Sequence, residues 1–323
     1  MNERPCSKCG KGAVYGRRYS GVKLCSPCYS HSIIEKTRRT ISKFGMLEYG
    51  TKMAVGVSGG KDSLSLLHVL SKIVIPHGSE LFAVTVDEGV EGYRDEAIQN
   101  AIELSSRLGV KQITVSFKEL FGTGLDDVLE KRKGKRIASC TVCGTFRRRA
   151  LEIGAQKVGA DVIATGHNLD DFLQTFLMNL FSGDVERIRW MDPAIKHNTD
   201  FAFRRIKPFM EIYEEEIAFY AFTNNLPLQS ETCPHMNESI RSEMREILNK
   251  LERAHPGMKY IGLRSVLKVA SNIENVQQRE INLCAECGFP TSGVVCSVCQ
   301  MRNVVSDWQR IDLVERSREG KSH

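Results

Sequence analysis

Eleven cysteines and one short glycine-lysine loop carry most of the chemistry legible in this 323-residue chain. Cys6, Cys9, Cys25 and Cys28 make two CxxC pairs separated by 15 residues. Cys284, Cys287, Cys296 and Cys299 repeat the arrangement with 8 residues between the pairs. Four thiolates close a tetrahedral zinc site, so each set reads as a zinc finger. Cys140, Cys143 and Cys233 form a trio, and three ligands leave one coordination position open. Taken singly, Cys140 and Cys143 read as a redox pair or a third zinc site, and Cys233 as a small buried hydrophobe. About ninety residues separate Cys143 from Cys233, so only folding can unite the trio.

The loop is Ser58-Gly59-Gly60-Lys61-Asp62-Ser63, between the apolar run Met53–Val57 and a helical pattern over Ser63–Ile73. Gly59 and Gly60 let the main chain approach a phosphate, and the loop N–H groups with the following helix N-terminus bind the anion. Ser58 and Ser63 add hydroxyls, Lys61 a point charge, and Asp62 a carboxylate to position the loop or a metal. It is not a Walker A loop, because Gly56 to Gly60 encloses three residues rather than four and Asp62, not Ser or Thr, follows Lys61.

The elements that must position these groups alternate. Strands are predicted over 53–57, 80–87, 111–117, 161–165 and 203–209, with helices over 63–73, 94–108, 145–158 and 169–181. The alternation predicts an α/β fold with a doubly wound parallel sheet, and in such sheets ligands sit beyond the carboxyl ends of strands. Those ends hold Ser58–Ser63, Val86-Asp87 and Gly166–Asp171. Asp170 and Asp171 fit either Mg²⁺ or substrate orientation, or capping of the next helix. The expected organisation is an N-terminal finger (1–30), a linker helix (31–50), the nucleotide domain (51–212), a helical extension carrying Cys233 (213–277), a C-terminal finger (278–301) and a polar tail (302–323).

No apolar run is long enough to cross a bilayer, no signal peptide is expected, and the cysteine spacing suits metal in a reducing cytoplasm. The net charge of +6 is modest, but Arg and Lys cluster at 17–18, 36–39, 131–136, 147–149 and 204–207. Beside cysteine modules, such clusters favour a polyanionic partner such as RNA. Lys8, Lys11, Arg17, Arg18 and Lys23 make the N-terminal finger one candidate contact, and Arg147, Arg148 and Arg149 another.

The Ser58–Ser63 loop resembles the PP-loop of the ATP-pyrophosphatase superfamily, whose members adenylate an oxygen and release pyrophosphate. Val86-Asp87 lies where that family contacts the adenine nucleotide, and Thr165-Gly166-His167-Asn168-Leu169-Asp170-Asp171 looks like its second nucleotide-side motif. With the trio and both fingers, the chain is similar to the tRNA uridine 2-thiolation enzymes: the archaeal and eukaryotic wobble-uridine thiolases and the TtuA-type group. Lysidine and GMP synthetases lack this pair of fingers, and the cytidine 2-thiolation branch lacks the terminal ones.

The resemblance implies an ATP- and Mg²⁺-dependent sulfurtransferase with two Zn²⁺ ions and a 4Fe-4S cluster on Cys140, Cys143 and Cys233. It implies tRNA as a partner, with sulfide or a ubiquitin-like thiocarboxylate protein as sulfur donor, and it leaves a homodimer and the target uridine open. A cluster-free route would put a persulfide on Cys140 or Cys233, with the other resolving it. A zinc-finger RNA-binding protein with a vestigial ATP loop, or a PP-loop ligase, are the remaining readings.

Overall fold

The computed structural model describes residues 5–131, 138–195, 203–229, 233–235, 240–274 and 282–305. Most of the basic run 131–136 and the tail from 306 onward lie outside them. The N-terminal module contains β1 (Tyr15–Gly16), β2 (Lys23–Leu24) and α1 (Ser26–Lys43). The central part runs β3 (Lys52–Gly56), α2 (Lys61–Ser71), β4 (Glu80–Asp87), α3 (Arg94–Leu108), β5 (Lys111–Ser116), α4 (Phe117–Phe121) and α5 (Leu125–Lys131). It continues with α6 (Ser139–Lys157), β6 (Val162–Thr165), α7 (Leu169–Phe181), α8 (Val185–Arg189) and β7 (Arg204–Ile206). Then come α9 (Glu214–Thr223), α10 (Arg241–Ala254), α11 (Met258–Asn272), β8 (Asn282–Leu283), β9 (Pro290–Thr291) and α12 (Ser297–Val305).

The central sheet has the order β5-β4-β3-β6-β7 and every pair is parallel. A parallel sheet is covered on both faces, so its strands need apolar residues pointing both ways. Met53, Ala54 and Val55 of β3 are fully buried for that reason. From β3 the chain first moves outward through β4 and β5, then returns to build β6 and β7 on the other side. The order therefore reverses beside β3, and the crevice opens beyond the ends of β3 and β6.

Each face of the sheet carries one finger. Met53, Val55, Ala83 and Ala164 pack with α2, α9 and the N-terminal module through Leu24, Cys25 and Tyr29. Ala54, Val84, Val115 and Ile163 pack with α6 and the C-terminal module through Cys284, Cys296 and Cys299. Helix α2 is buried over almost its whole length, with Leu64, Leu66 and Leu67 fully covered; each such side chain contributes about 1.5–3 kcal/mol.

Three boundaries differ from expectation. Helix α1 starts at Ser26 rather than near Ser32, since Pro27 is tolerated in a first turn. Helix α6 starts at Ser139 rather than Thr145, which puts Cys140 and Cys143 on the helix itself. The last strand stops at Ile206, two residues before Pro208, which lacks the N–H a ladder needs. No helix among the described residues is long and apolar enough to cross a membrane.

Candidate active site and metal centres

The nucleotide loop leaves the carboxyl end of β3 and enters α2 with Gly60 as N-cap. Gly59 has φ +83°, and a Cβ there would come within 2.5 Å of the Ala97 backbone, so only glycine fits. Ser63 Oγ accepts from the Ser58 N–H at 3.0 Å and donates to Gly60 O at 3.0 Å, which fixes the curl of the loop. On the far wall a Cβ on Gly166 would lie 3.0 Å from the backbone of Asp62 and Ser63. The ends of β3 and β6 thus meet at glycines and leave the α2 N-terminus facing the crevice.

Lys61 Nζ lies 2.8 Å from Glu214 and 3.1 Å from Asp62. Burial pushes the Asp62 carboxyl up to about 6, with Lys61 opposing. Its Oδ1 is buried without a hydrogen-bond partner. An orphaned carboxylate oxygen beside a phosphate-type loop suits a hard cation such as Mg²⁺. Asp171 lies close enough to raise Asp62 further, and burial raises Asp171 itself.

Asp170 and Asp171 divide their duties. Asp171 completes a capping box with Asn168 at the start of α7 and faces Arg241 at 3.5 Å. Asp170 is turned inward. One oxygen pairs with Lys259 of α11 and the other accepts the Glu214 N–H at 2.8 Å. It anchors the helical extension and leaves Asp171 as the carboxylate nearer the crevice. The His167 ring is solvent-exposed, with Nδ1 2.9 Å from Thr165 Oγ1.

Cys140 and Cys143 sit in the first two turns of α6. Cys140 Sγ is 4.0 Å from the carbonyl oxygen of His235, two residues beyond Cys233. Cys233 is near enough to Cys143 and Tyr93 for its charge to bear on both. Burial pushes the Cys143 thiol up to about 11, against the pull of Arg147.

The Cys233 segment is held from both sides. Gln229 Nε2 donates to Tyr93 O at 2.7 Å, and His235 pairs with Asp126 at 2.9 Å. Asp126 in turn accepts the Glu91 N–H at 3.0 Å. Both anchors therefore lead to the loop between β4 and α3. From that loop the buried Glu88 pairs at 2.6 Å with Arg94 and at 2.6 Å with Arg147. Arg94 also donates to the carbonyls of Ser58 and Val86, and Arg147 Nη2 to Cys143 Sγ at 3.1 Å. Asp87 caps the same loop, accepting the Gly89 N–H at 2.9 Å.

Sequence reasoning missed Glu88 and Arg94. The available signal was an acidic residue directly after a strand, inside a loop with Gly89 and Gly92.

The two fingers have tighter geometry. Within Cys6, Cys9, Cys25 and Cys28, and within Cys284, Cys287, Cys296 and Cys299, all sulfurs lie inside 4.8 Å of one another. Zinc–sulfur bonds of about 2.3 Å put tetrahedral sulfurs about 3.8 Å apart, so one Zn²⁺ fits each set. Cys9–Cys25 and Cys287–Cys296 are at 3.5 and 3.7 Å. Among the described residues the trio is not gathered to that span.

Two basic groups expected to face RNA are committed elsewhere. Arg17 is 10% exposed and bound to Glu216 at 2.6 Å, so it ties the N-terminal finger to α9. Arg149 is buried with its guanidinium 3.1 Å over the Phe289 ring, bracing the C-terminal finger on α6. Arg147 serves Glu88 and Cys143. Of these three neighbours on α6, Arg147 and Arg148 are exposed, and Arg147 is already paired with Glu88.

The doubly wound sheet and the non-Walker phosphate loop define an α/β protein of the nucleotide-using class, flanked by two four-cysteine sets. The PP-loop domain family matches residues 31–252, and the chain belongs to it. The tRNA 2-thiolation protein NcsA of Haloferax volcanii is 36% identical over 92% of this chain and 97% of its own. Cytoplasmic tRNA 2-thiolation protein 1 of Chlamydomonas reinhardtii is 35% identical over 93% of this chain and 84% of its own. The solved U34-tRNA thiolase NcsA of Methanococcus maripaludis, which contains a 4Fe-4S cluster, superposes with a TM-score of 0.81 at 33% identity. It covers 93% of this chain and 96% of that one.

Proposed function

We propose that this chain is a cytoplasmic, ATP-dependent tRNA uridine 2-sulfurtransferase, acting on the wobble uridine as the name of its Methanococcus relative suggests. The observation that carries the reading is the approach of the cysteine trio to the nucleotide loop through Glu88, Arg94 and Arg147.

The chemistry follows from the leaving group. Oxide leaves a C2 carbonyl poorly, so the oxygen must first be activated. Ser58, Gly59, Gly60, Lys61 and Ser63 would hold the ATP phosphates, and Val86-Asp87 would border the adenine. Asp62, with Asp171 behind it, would hold Mg²⁺. Uridine O2 attacks the α-phosphorus, and the bond to pyrophosphate breaks. Sulfide then attacks C2, and AMP departs carrying the former O2. No electrons are exchanged with the base, so the sulfur enters at the sulfide level.

Cys140, Cys143 and Cys233 would hold a 4Fe-4S cluster, which when bound supplies an iron site free of protein ligands for sulfide. Sulfide or a thiocarboxylate protein would supply the sulfur. The base must leave its stack to enter the crevice.

The test is pyrophosphate release. Wild-type protein with Mg-ATP should release pyrophosphate when unmodified tRNA is added. Lys61→Ala and Asp62→Ala should not, while retaining their fold by circular dichroism. Release that is independent of tRNA, or undiminished in both variants, would overturn the reading.

A further inference from the structure

We propose that Glu88 is a positioning residue that links nucleotide occupancy to the sulfur-delivering cysteines. The inference rests on the function proposed above and deepens it.

Glu88 has a side chain only 2% exposed and lies between two guanidinium groups. A buried carboxylate is retained only with close countercharges, and it has two guanidinium groups, each at 2.6 Å; the Arg94 Nε–Glu88 Oε2 contact is a charge contact without hydrogen-bond geometry. Each guanidinium has a second task. Arg94 donates to Ser58 O at 3.0 Å, at the first residue of the nucleotide loop. Arg147 donates to Cys143 Sγ at 3.1 Å.

The charges alternate along this chain: Arg94 positive, Glu88 negative, Arg147 positive. The triad alone has an excess of one positive charge, and that excess sits at the cysteine trio. There Arg147 Nη2 meets the Cys143 sulfur at 3.1 Å. The second cation, Arg147, is turned toward the Cys143 thiol at the reacting end.

The rest of the β4–α3 loop points the same way. Its Tyr93 carbonyl and Glu91 N–H anchor the two flanks of Cys233 through Gln229, and through His235 by way of Asp126. Filling the crevice with nucleotide phosphates presses on Ser58. Arg94 passes the displacement to Glu88, and Glu88 fixes the direction of Arg147. Contacts that orient ligand groups of a metal site typically change affinity or activity by about 10–100-fold when removed.

The experiment uses the full-length protein reconstituted anaerobically with iron and sulfide. The electron paramagnetic resonance spectrum of the reduced cluster is recorded with and without Mg²⁺ and a non-hydrolysable ATP analogue. Analogue affinity is measured by calorimetry on the same samples. In wild type the analogue should shift the spectrum. In Glu88→Gln, iron content and analogue affinity should stay within about threefold while the shift disappears and thiolation falls about 10–100-fold.

Arg147→Gln should abolish the shift too, and the double variant should be no worse than the worse single one. Arg147→Gln leaves the Arg94–Glu88 pair intact, so it decides the matter if Glu88→Gln does not fold. A spectrum indifferent to the analogue in wild type, or an unchanged shift in a folded variant, overturns the proposal. Absence of thiolation by wild type alongside a normal Glu88-dependent shift would instead sink the assigned reaction and leave the linkage standing.

Discussion

Replacing Glu216 with Gln should unseat the N-terminal finger from the body of the molecule. Glu216 is fully buried on α9. Its oxygens meet Arg17 at 2.6 Å and Lys36 at 2.8 Å, and Tyr19 donates to it at 3.0 Å. Burial pushes its carboxyl up, but Lys36 and Arg17 outweigh burial and the net shift is downward. Glutamine keeps the shape and removes the charge, so two cations, 10% and 19% exposed, lose their common anion. Breaking a buried pair in this way costs about 3–5 kcal/mol, a large share of the about 5–15 kcal/mol that holds a domain together. The control is Glu35→Gln, which removes the half-buried partner of the exposed Arg38 and should cost at most about 0.5 kcal/mol. Guanidinium unfolding of the zinc-loaded proteins gives both values, and limited proteolysis between α1 and β3 reports on the finger locally. A cost for Glu216→Gln below about 1 kcal/mol, or equal to the control, would refute the idea that this ion cluster fixes the finger.

Zinc analysis should find about two ions per wild-type chain and about one in Cys25→Ala or Cys296→Ala, with loss of the local module; full retention in both would remove the four-ligand assignments. Charge reversal at the exposed Arg148 and Arg187 should weaken tRNA binding and lower the salt slope by about 1 per residue, whereas Arg149→Glu should act chiefly on stability through Phe289. Equal salt slopes in wild type and the Arg148 variant would refute that division. Burial holds His68, hydrogen-bonded to Tyr220 at 3.0 Å, down to about 4 from 6.5. The unfolded chain therefore takes up the proton first. Stability is full above about pH 6.5 and is lost as pH falls toward 4, by about 3 kcal/mol in all. His68→Gln should flatten the stability curve in that window, and an unchanged slope would contradict the assignment.

The parallel sheet was legible because β3, β4 and β6 are apolar runs bounded by glycine and polar residues, which is local information. The two fingers were legible because ligand spacing within a CxxC pair is also local. Glu88, Glu214 and Lys259 were not. Their meaning lies in Arg147, Lys61 and Asp170, which are tens of residues or more away in sequence, and no periodicity signals such a pairing. Arg17 and Arg149 illustrate the same limit from the other side: a basic cluster looks alike whether its members face solvent or stack under an aromatic ring. Asp170 and Asp171 are adjacent in sequence and differ in role because one turn of α7 sends the first toward Lys259 and the second toward the crevice.

In the proposed reaction one crevice activates a uridine oxygen with ATP and replaces it with sulfur delivered at the cysteine trio. The most direct measurement is nucleoside mass analysis of unmodified tRNA after incubation with anaerobically reconstituted protein, Mg-ATP and sulfide. The proposed reaction predicts 2-thiouridine at position 34, the site in the name of the Methanococcus relative. It further predicts one AMP and one pyrophosphate for each thiouridine formed, and no product when ATP is omitted or when Cys140, Cys143 or Cys233 is replaced by Ala. Thiouridine formed without ATP, or formed at the wild-type rate by those cysteine variants, would contradict it.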